Sequence, residues 1–225
     1  MTVNEMIQKI QEAIRLSKPD ATYLDFVLLG DLNQVLDEVT AENCLLELET
    51  TDSISFDSPE EFLEEDGIAY LQAALPDDYH HDLYEAYNVT AKRPVRIHAN
   101  RKSLYRYFAD GNRTGDYIGN VAVQGPYLLA LPIIGDAMDE EIISIGYYKQ
   151  ADDLELDGAG PSCVPSHLHY GLLVSGVLRR KLLALNPGMA QVHEQRYAAG
   201  LLSLGAFVKT PSRKTPFIKR YARYF

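Results

Sequence analysis

Leu45-Leu46-Glu47-Leu48-Glu49-Thr50-Thr51-Asp52-Ser53-Ile54-Ser55-Phe56 is where the chain changes texture. From here apolar and polar residues alternate, Ile54 and Phe56 against Ser53 and Ser55, at the two-residue period of a half-buried strand. Upstream the period is three to four. Thr2-Val3-Asn4-Glu5 forms a capping box, with hydroxyl and carboxylate each satisfying a free amide at a helix start. Met6, Ile10, Ala13 and Ile14 follow on one face, to about Leu16, where Lys18-Pro19 stops the helix. A second helix is expected from Tyr23 or Asp31 to Glu42, with Leu32, Val35, Leu36 and Val39 inward.

Downstream of Phe56, Ser58-Pro59-Glu60-Glu61-Phe62-Leu63 predicts a short helix, with proline in its first turn and acids at the positive end of the dipole. Asn88 to Gln150 predicts strands at Val89 to Ile97, Leu104 to Phe108, Tyr117 to Val123, Tyr127 to Leu131 and Ile142 to Tyr148, punctuated by glycine- and asparagine-bearing turns. Ala151 to Pro165 is a loop. Pro165-Ser166 opens a helix through Leu185, and Asn186-Pro187 ends it and caps another, to about Ala206. Neither terminal helical pair buries its apolar stripe alone, so the two pairs are expected to close one bundle. The predicted class is α+β: a small helical bundle from both chain ends (1–48 and 162–206), an inserted antiparallel β module with an acidic loop (49–161) and an extended basic-aromatic tail (207–225).

The 225 residues are 46% hydrophobic and 24% charged, which excludes wholesale disorder. No apolar run approaches the roughly 18 residues that span a bilayer, and the opening residues predict no signal peptide. Two cysteines, Cys44 and Cys163, make no disulfide framework and fit a reducing compartment. A soluble protein made inside a cell is the expectation. The net charge of −11 is unevenly spread: residues 1–85 carry 21 acids against 3 bases, residues 86–206 are near neutral, and the last 19 carry 6 bases and no acid. So acidic a chain is not expected to be a general nucleic-acid binder.

Catalytic and metal signatures are weak. Asp110-Gly111-Asn112-Arg113-Thr114-Gly115-Asp116 resembles a calcium loop in its first half, but the twelfth position is Val121 where a glutamate is needed. His167 and His169 lie two apart on a helix, on opposing sides, and Cys163 adds too few ligands for zinc. His80-His81-Asp82 falls in the acidic loop without further ligands. No nucleophile elbow or phosphate-cradling loop occurs; Ser175-Gly176 reads as a close helix contact. Neither an enzyme nor a cofactor or metal is expected. The tail differs: Phe217, Ile218, Tyr221, Tyr224 and Phe225 are interleaved with Lys219, Arg220 and Arg223, a mixture suited to a segment that orders on a partner.

The order of several short elements resembles the head-to-tail adaptor (connector, or gatekeeper) proteins of tailed bacteriophages, especially short-tailed ones. These are Leu32-Asn33, Leu75-Pro76-Asp77-Asp78-Tyr79, Asp116-Tyr117 to Gly125, Tyr127-Leu128-Leu129-Ala130-Leu131-Pro132, Ile142 to Tyr147-Tyr148-Lys149-Gln150, Leu154, and Val164-Pro165 before a hairpin bearing Tyr197-Ala198-Ala199. The resemblance implies a virion protein of the phage neck, assembled in the host cytoplasm. It implies a closed ring of about twelve copies under the portal protein, extending a channel through which DNA passes without sequence-specific binding. The C-terminal segment would grip the portal, with Phe217, Ile218, Lys219, Arg220, Tyr221, Arg223, Tyr224 and Phe225 as its contacts. The β module would meet the tail tube or nozzle protein and, in some phages, tail fibres. No membrane is implied. The alternatives are a β module gripping a small ligand or sugar on a helical support, and a metal-dependent hydrolase using His80, His81, Asp82 and the Asp110 loop.

Overall fold

A computed structural model describes residues 1–56, 60–63, 69–108, 114–131, 133–134 and 141–209. The chain is α+β and divides into two compact units, residues 1–48 with 151–225, and residues 49–150.

The first unit is helical. Helix α1 (Val3–Ser17) begins with the capping box, Glu5 N–H donating to the Thr2 hydroxyl and Thr2 N–H to the Glu5 carboxylate. Val3, Met6, Ile7, Ile10 and Ile14 are its buried face. Helix α2 (Asp25–Ala41) buries Leu28, Leu32, Val35, Leu36 and Val39. The C-terminal half of the unit is less regular than the sequence predicts. Where one helix from 165 to 185 was expected, a 3-10 turn (Ser166–Leu168) leads into a π-helical turn (Tyr170–Val174), then α4 (Ser175–Lys181). Helix α5 (Pro187–Lys209) is capped by the Asn186 side chain, which accepts from Met189 N–H. It runs to Lys209, so residues 207–209, expected in the tail, are helical.

Two glycines set how closely these helices approach. A Cβ on Gly176 of α4 would lie 2.5 Å from Val35 Cγ1 of α2 and 3.2 Å from the Tyr197 ring of α5. A Cβ on Gly200 of α5 would lie 2.9 Å from Leu172 Cδ2 in the π-helical turn. Ion pairs tie the same helices: Arg179 reaches Glu38 (3.5 Å) and Glu194 (3.2 Å), Arg180 pairs with Glu38, and Lys181 meets Asp31 at 2.7 Å. The Arg179 guanidinium lies 3.9 Å above the centre of the Tyr197 ring.

Residues 151–161, expected in the β module, belong with the helices. Thr2 and Ala159 form an antiparallel bridge, Val3 N–H donates to Gly158 O (3.2 Å), and the Asn33 side chain accepts from Leu154 N–H at 2.8 Å. A loop that hydrogen-bonds to a helix start and to a helix side chain is fixed by its partners, which composition does not reveal.

The second unit is built from strands β1 (Glu49–Phe56), β2 (Glu60–Leu63), β3 (Ala69–Ala74), β4 (Tyr79–Asn88), β5 (Arg93–Pro94), β6 (Arg96–His98), β7 (Thr114–Gly115), β8 (Asn120–Gln124), β9 (Tyr127–Leu131), β10 (Ile133–Ile134) and β11 (Glu141–Lys149), with helix α3 (Arg101–Phe108) between β6 and β7. A four-stranded sheet has the order β1-β11-β4-β5, and a five-stranded sheet the order β2-β3-β9-β8-β6. Pairing is antiparallel except for β6 with β8 and β7 with β10. Their facing side chains make one core, with Ile54, Phe56, Ile143, Ile145 and Tyr147 from the first sheet and Leu71, Val121, Leu128 and Ala130 from the second. Leu129 and Leu131 point the other way, joining Tyr70, Ala122 and Leu104 of α3 in a second cluster. Both faces of β9 are therefore covered, which is why Tyr127 to Leu131 reads as an unbroken apolar run.

Three expectations are corrected here. Leu104 to Phe108 is helix, not strand, because Asn100 caps it: Ser103 N–H donates to the Asn100 side chain (2.9 Å) and Asn100 N–H to the Ser103 hydroxyl (3.2 Å). Glu60–Leu63 is a strand paired with β3, not a helix; the hairpin ladder outweighs the proline and acidic start signals. Tyr79–Asn88 is a strand where an acidic loop was expected, and residues 89–92 form the turn after it.

A buried polar network closes this unit. Glu141, 6% exposed, accepts through one carboxylate oxygen from Ile118 N–H (2.8 Å) and the Asn88 side-chain amide (2.7 Å). That amide also donates to Ile118 O, and the Asn88 side-chain oxygen accepts from Ala91 N–H. Asn88 opens a glycosylation sequon, but its amide is fully buried and committed to these bonds.

Candidate interaction surface

The residues expected to carry portal contact, Phe217, Ile218, Lys219, Arg220, Tyr221, Arg223, Tyr224 and Phe225, lie outside the described residues, as does the Asp110 to Arg113 part of the calcium-like loop. The remaining chemical candidates have structural settings. His81 sits on β4 with its ring stacked on Tyr148 at 5.2 Å and its Nδ1 3.4 Å from Asp82, whose backbone is left-handed (φ 45°). His169 is buried, its Nε2 2.8 Å from Val164 O, whereas His167 is exposed. The helix geometry therefore separates the two histidines. Cys163 is buried, and burial pushes its thiol up to about 11, with the Glu47 and Asp152 carboxylates adding to the rise and a backbone hydrogen bond opposing it. A thiol so held is protonated at neutral pH and is a poor nucleophile.

What the structure brings together is a basic, tyrosine-bearing surface that the charge profile concealed. Residues 86–109 contain six cations, Lys92, Arg93, Arg96, Arg101, Lys102 and Arg106, and no acid. Averaged into the neutral block 86–206, they vanished; a 24-residue window would have found them. The turn after β4 presents Lys92, in a left-handed conformation (φ 55°), and β5 and β6 carry Arg93 and Arg96. α3 carries Arg101, Lys102 and Arg106. All but Arg101 are exposed.

Aromatic rings hold the guanidinium groups in place. Arg93 lies 5.0 Å from the centre of the Tyr117 ring and donates to its hydroxyl (3.3 Å). Arg96 lies 4.9 Å from the Tyr107 ring centre, and that ring also meets His98 at 5.4 Å. His98 is fixed from β8, its Nε2 3.0 Å from Asn120 Oδ1. A guanidinium stacked on a ring keeps its N–H groups free in the plane, ready for carboxylates or phosphates, with less rotamer freedom left to lose. A shallow groove lined by Asn100, Arg101, Lys102, Val123 and Gln124 opens beside them. Tyr87, Tyr107 and Tyr127 are all exposed.

The helical unit has its own exposed apolar residues: Leu16 (88% exposed) at the end of α1, Leu24 and Phe26 (65%) at the start of α2, and Leu202 (79%) and Phe207 on α5. No helix among the described residues is long and apolar enough to cross a membrane. No protein-family model matches the chain, and no curated protein matches it.

Proposed function

We propose that this chain is a structural, non-enzymatic head-to-tail adaptor of a tailed bacteriophage, forming a ring under the portal and joining capsid to tail. The observation that carries the proposal is the chain order within the architecture. Helices from both ends make one unit, a β-sheet unit is inserted between them, and the elements carrying the resemblance recur through both.

Each unit supports a role in assembly. The exposed Leu16, Leu24, Phe26, Leu202 and Phe207 are surplus to the helical core and suit side-by-side subunit contacts. The β unit has its core filled by side chains from both sheets, which suits a rigid platform presented to the tail. The last residues, Phe217 to Phe225, are the portal strap in this reading, Tyr and Arg anchoring an extended segment.

The test compares tagged full-length chain with residues 1–209 as bait in lysate of the infected host, with captured assemblies viewed by electron microscopy. The full-length chain is expected to bring down a ring-forming partner with the bait seated below it, and the truncated chain to bring down none. Capture by both baits would remove the strap role, and capture by neither would overturn the adaptor reading.

A further inference from the structure

The basic surface of the β unit has a counterpart of opposite sign in the segment that follows β11. Residues 152–157, Asp152-Asp153-Leu154-Glu155-Leu156-Asp157, hold four exposed carboxylates, and no lysine or arginine occurs between Lys149 and Arg179. Hydrogen bonds fix this irregular stretch. Leu154 N–H donates to the Asn33 side chain (2.8 Å), Gly158 N–H to Glu155 O (2.9 Å), and the Asn4 amide to the Asp157 carboxylate (3.1 Å). On the basic surface two guanidinium groups are likewise held, Arg93 by Tyr117 and Arg96 by Tyr107. Both charge sets are thus ordered before any contact, which lowers the entropy cost of bringing them together.

We infer that the basic surface formed by Lys92, Arg93, Arg96, Lys102 and Arg106 docks the acidic loop 152–157 of a second copy of the same chain. Among the described residues none of these five cations is in an ion pair, and none of the four carboxylates is. Neither set is therefore matched by the other within one copy. The path of the chain agrees with this. Lys149, after which the loop begins, pairs with Tyr79 at the start of β4, whereas Arg93 pairs with Asn88 at its end.

A second copy is favoured over nucleic acid on two grounds. The cations occur on a chain of net charge −11, which opposes a long polyanion, while a compact set of four carboxylates is present on every copy. Tyr107 and Tyr117 also already carry guanidinium groups on a ring face, where a single strand would stack its bases. Guanidinium groups so placed present their N–H edges to carboxylates. Because two different surfaces meet, the contact is head-to-tail: each copy offers one basic surface and one acidic loop, and repetition closes a ring if the rotation permits. The inference rests on the ring reading proposed above for that closure and supplies one of its contacts.

Full-length chain, half of it isotope-labelled, is treated at low ionic strength with a zero-length carbodiimide, which joins lysine amines to carboxylates in direct contact. Mixed-isotope links are expected between Lys92 or Lys102 and the carboxylates of 152–157, and they should fade as salt is raised. Arg93→Glu/Arg96→Glu should weaken self-association at least about tenfold, as should Asp152→Lys/Asp153→Lys. A mixture of the two variants should regain it because their altered surfaces are complementary. Lys102→Glu, an exposed change on α3, serves as a second variant should the arginine pair disturb folding. Links confined to one isotope, links of these lysines to other carboxylates, a chain that stays monomeric at the highest concentration, or no rescue in the mixture would overturn the inference. So would tight binding of a labelled single-stranded oligonucleotide that is lost in the arginine variant. The two readings fail separately: absent links in a chain that still captures the portal would spare the adaptor, while present links in a chain that captures nothing would spare the contact.

Discussion

Gly176 sits where α4 packs closely on α2 and α5, and alanine there has a cost that can be worked out. The new Cβ would lie 2.5 Å from Val35 Cγ1, 3.2 Å from Val35 Cγ2 and 3.2 Å from the Tyr197 ring. A normal carbon contact is roughly 3.5–4.0 Å, so something must move by about 1.0–1.5 Å. Val35 cannot easily yield: it is fully buried, and a β-branched side chain in a helix has essentially one χ1 rotamer. Tyr197 is held by the stacked Arg179, itself paired with Glu38 and Glu194. Overpacking of this kind costs about 1–3 kcal/mol, and the helix propensity gained by replacing glycine returns about 1. Gly176→Ala should therefore lose up to about 2 kcal/mol by these two ranges, read as a lowered urea midpoint of the helical unit. Val35→Ala removes both offending methyls, so the double variant should be more stable than the sum of the single effects by at least about 1 kcal/mol. A double-mutant cycle with no coupling would refute the close crossing of α2 and α4.

Glu141→Ala should cost about 2–3 kcal/mol by leaving the buried Ile118 N–H and Asn88 amide short of an acceptor. Glu141→Gln should be far milder, since one oxygen accepts both bonds and an amide oxygen can take its place; equal losses in denaturant titrations would contradict this. His193 is buried against the Ser175 hydroxyl, and burial, then the nearby Arg196, lowers its folded pKa below 6.5. The unfolded chain then takes up the proton first, so stability is intact above pH 6.5 and is lost as the pH falls through that value toward the folded pKa. His193→Gln should flatten this loss in melts at pH 7.5 and 5.5, and an unchanged slope would count against it. Cys44 is exposed and Cys163 buried, so a thiol reagent at pH 8 should label Cys44 in the native chain and Cys163 only after unfolding; prompt labelling of both would contradict that burial.

What could be read from residues alone was what local chemistry decides. The capping box at Thr2 and Glu5, the Asn186 cap and the texture change at Leu45 each depend on a few neighbouring side chains, and each corresponds to a feature of the fold. The misreadings share a cause. At 60–63 a proline and acids favour a helix start, but pairing with β3 decides the conformation. At 104–108 alternating residues suggested a strand, whereas Asn100 and Ser103 cap a short helix whose Leu104 packs onto the sheet. The loop 151–161 is assigned by hydrogen bonds to Thr2, Val3 and Asn33, more than a hundred residues away. The basic run of residues 86–109 was missed for a different reason, since averaging over 86–206 cancelled its six cations against acids further along the chain. Gly176, by contrast, announced its close helix contact through its residue type within an apolar helix.

The central claim, that this chain is a neck component of a tailed phage particle, is tested most directly by electron microscopy of purified particles labelled with an antibody raised against residues 49–150. Gold label confined to the junction between capsid and tail is the predicted result. Label absent from particles, or spread over the capsid shell, would contradict it.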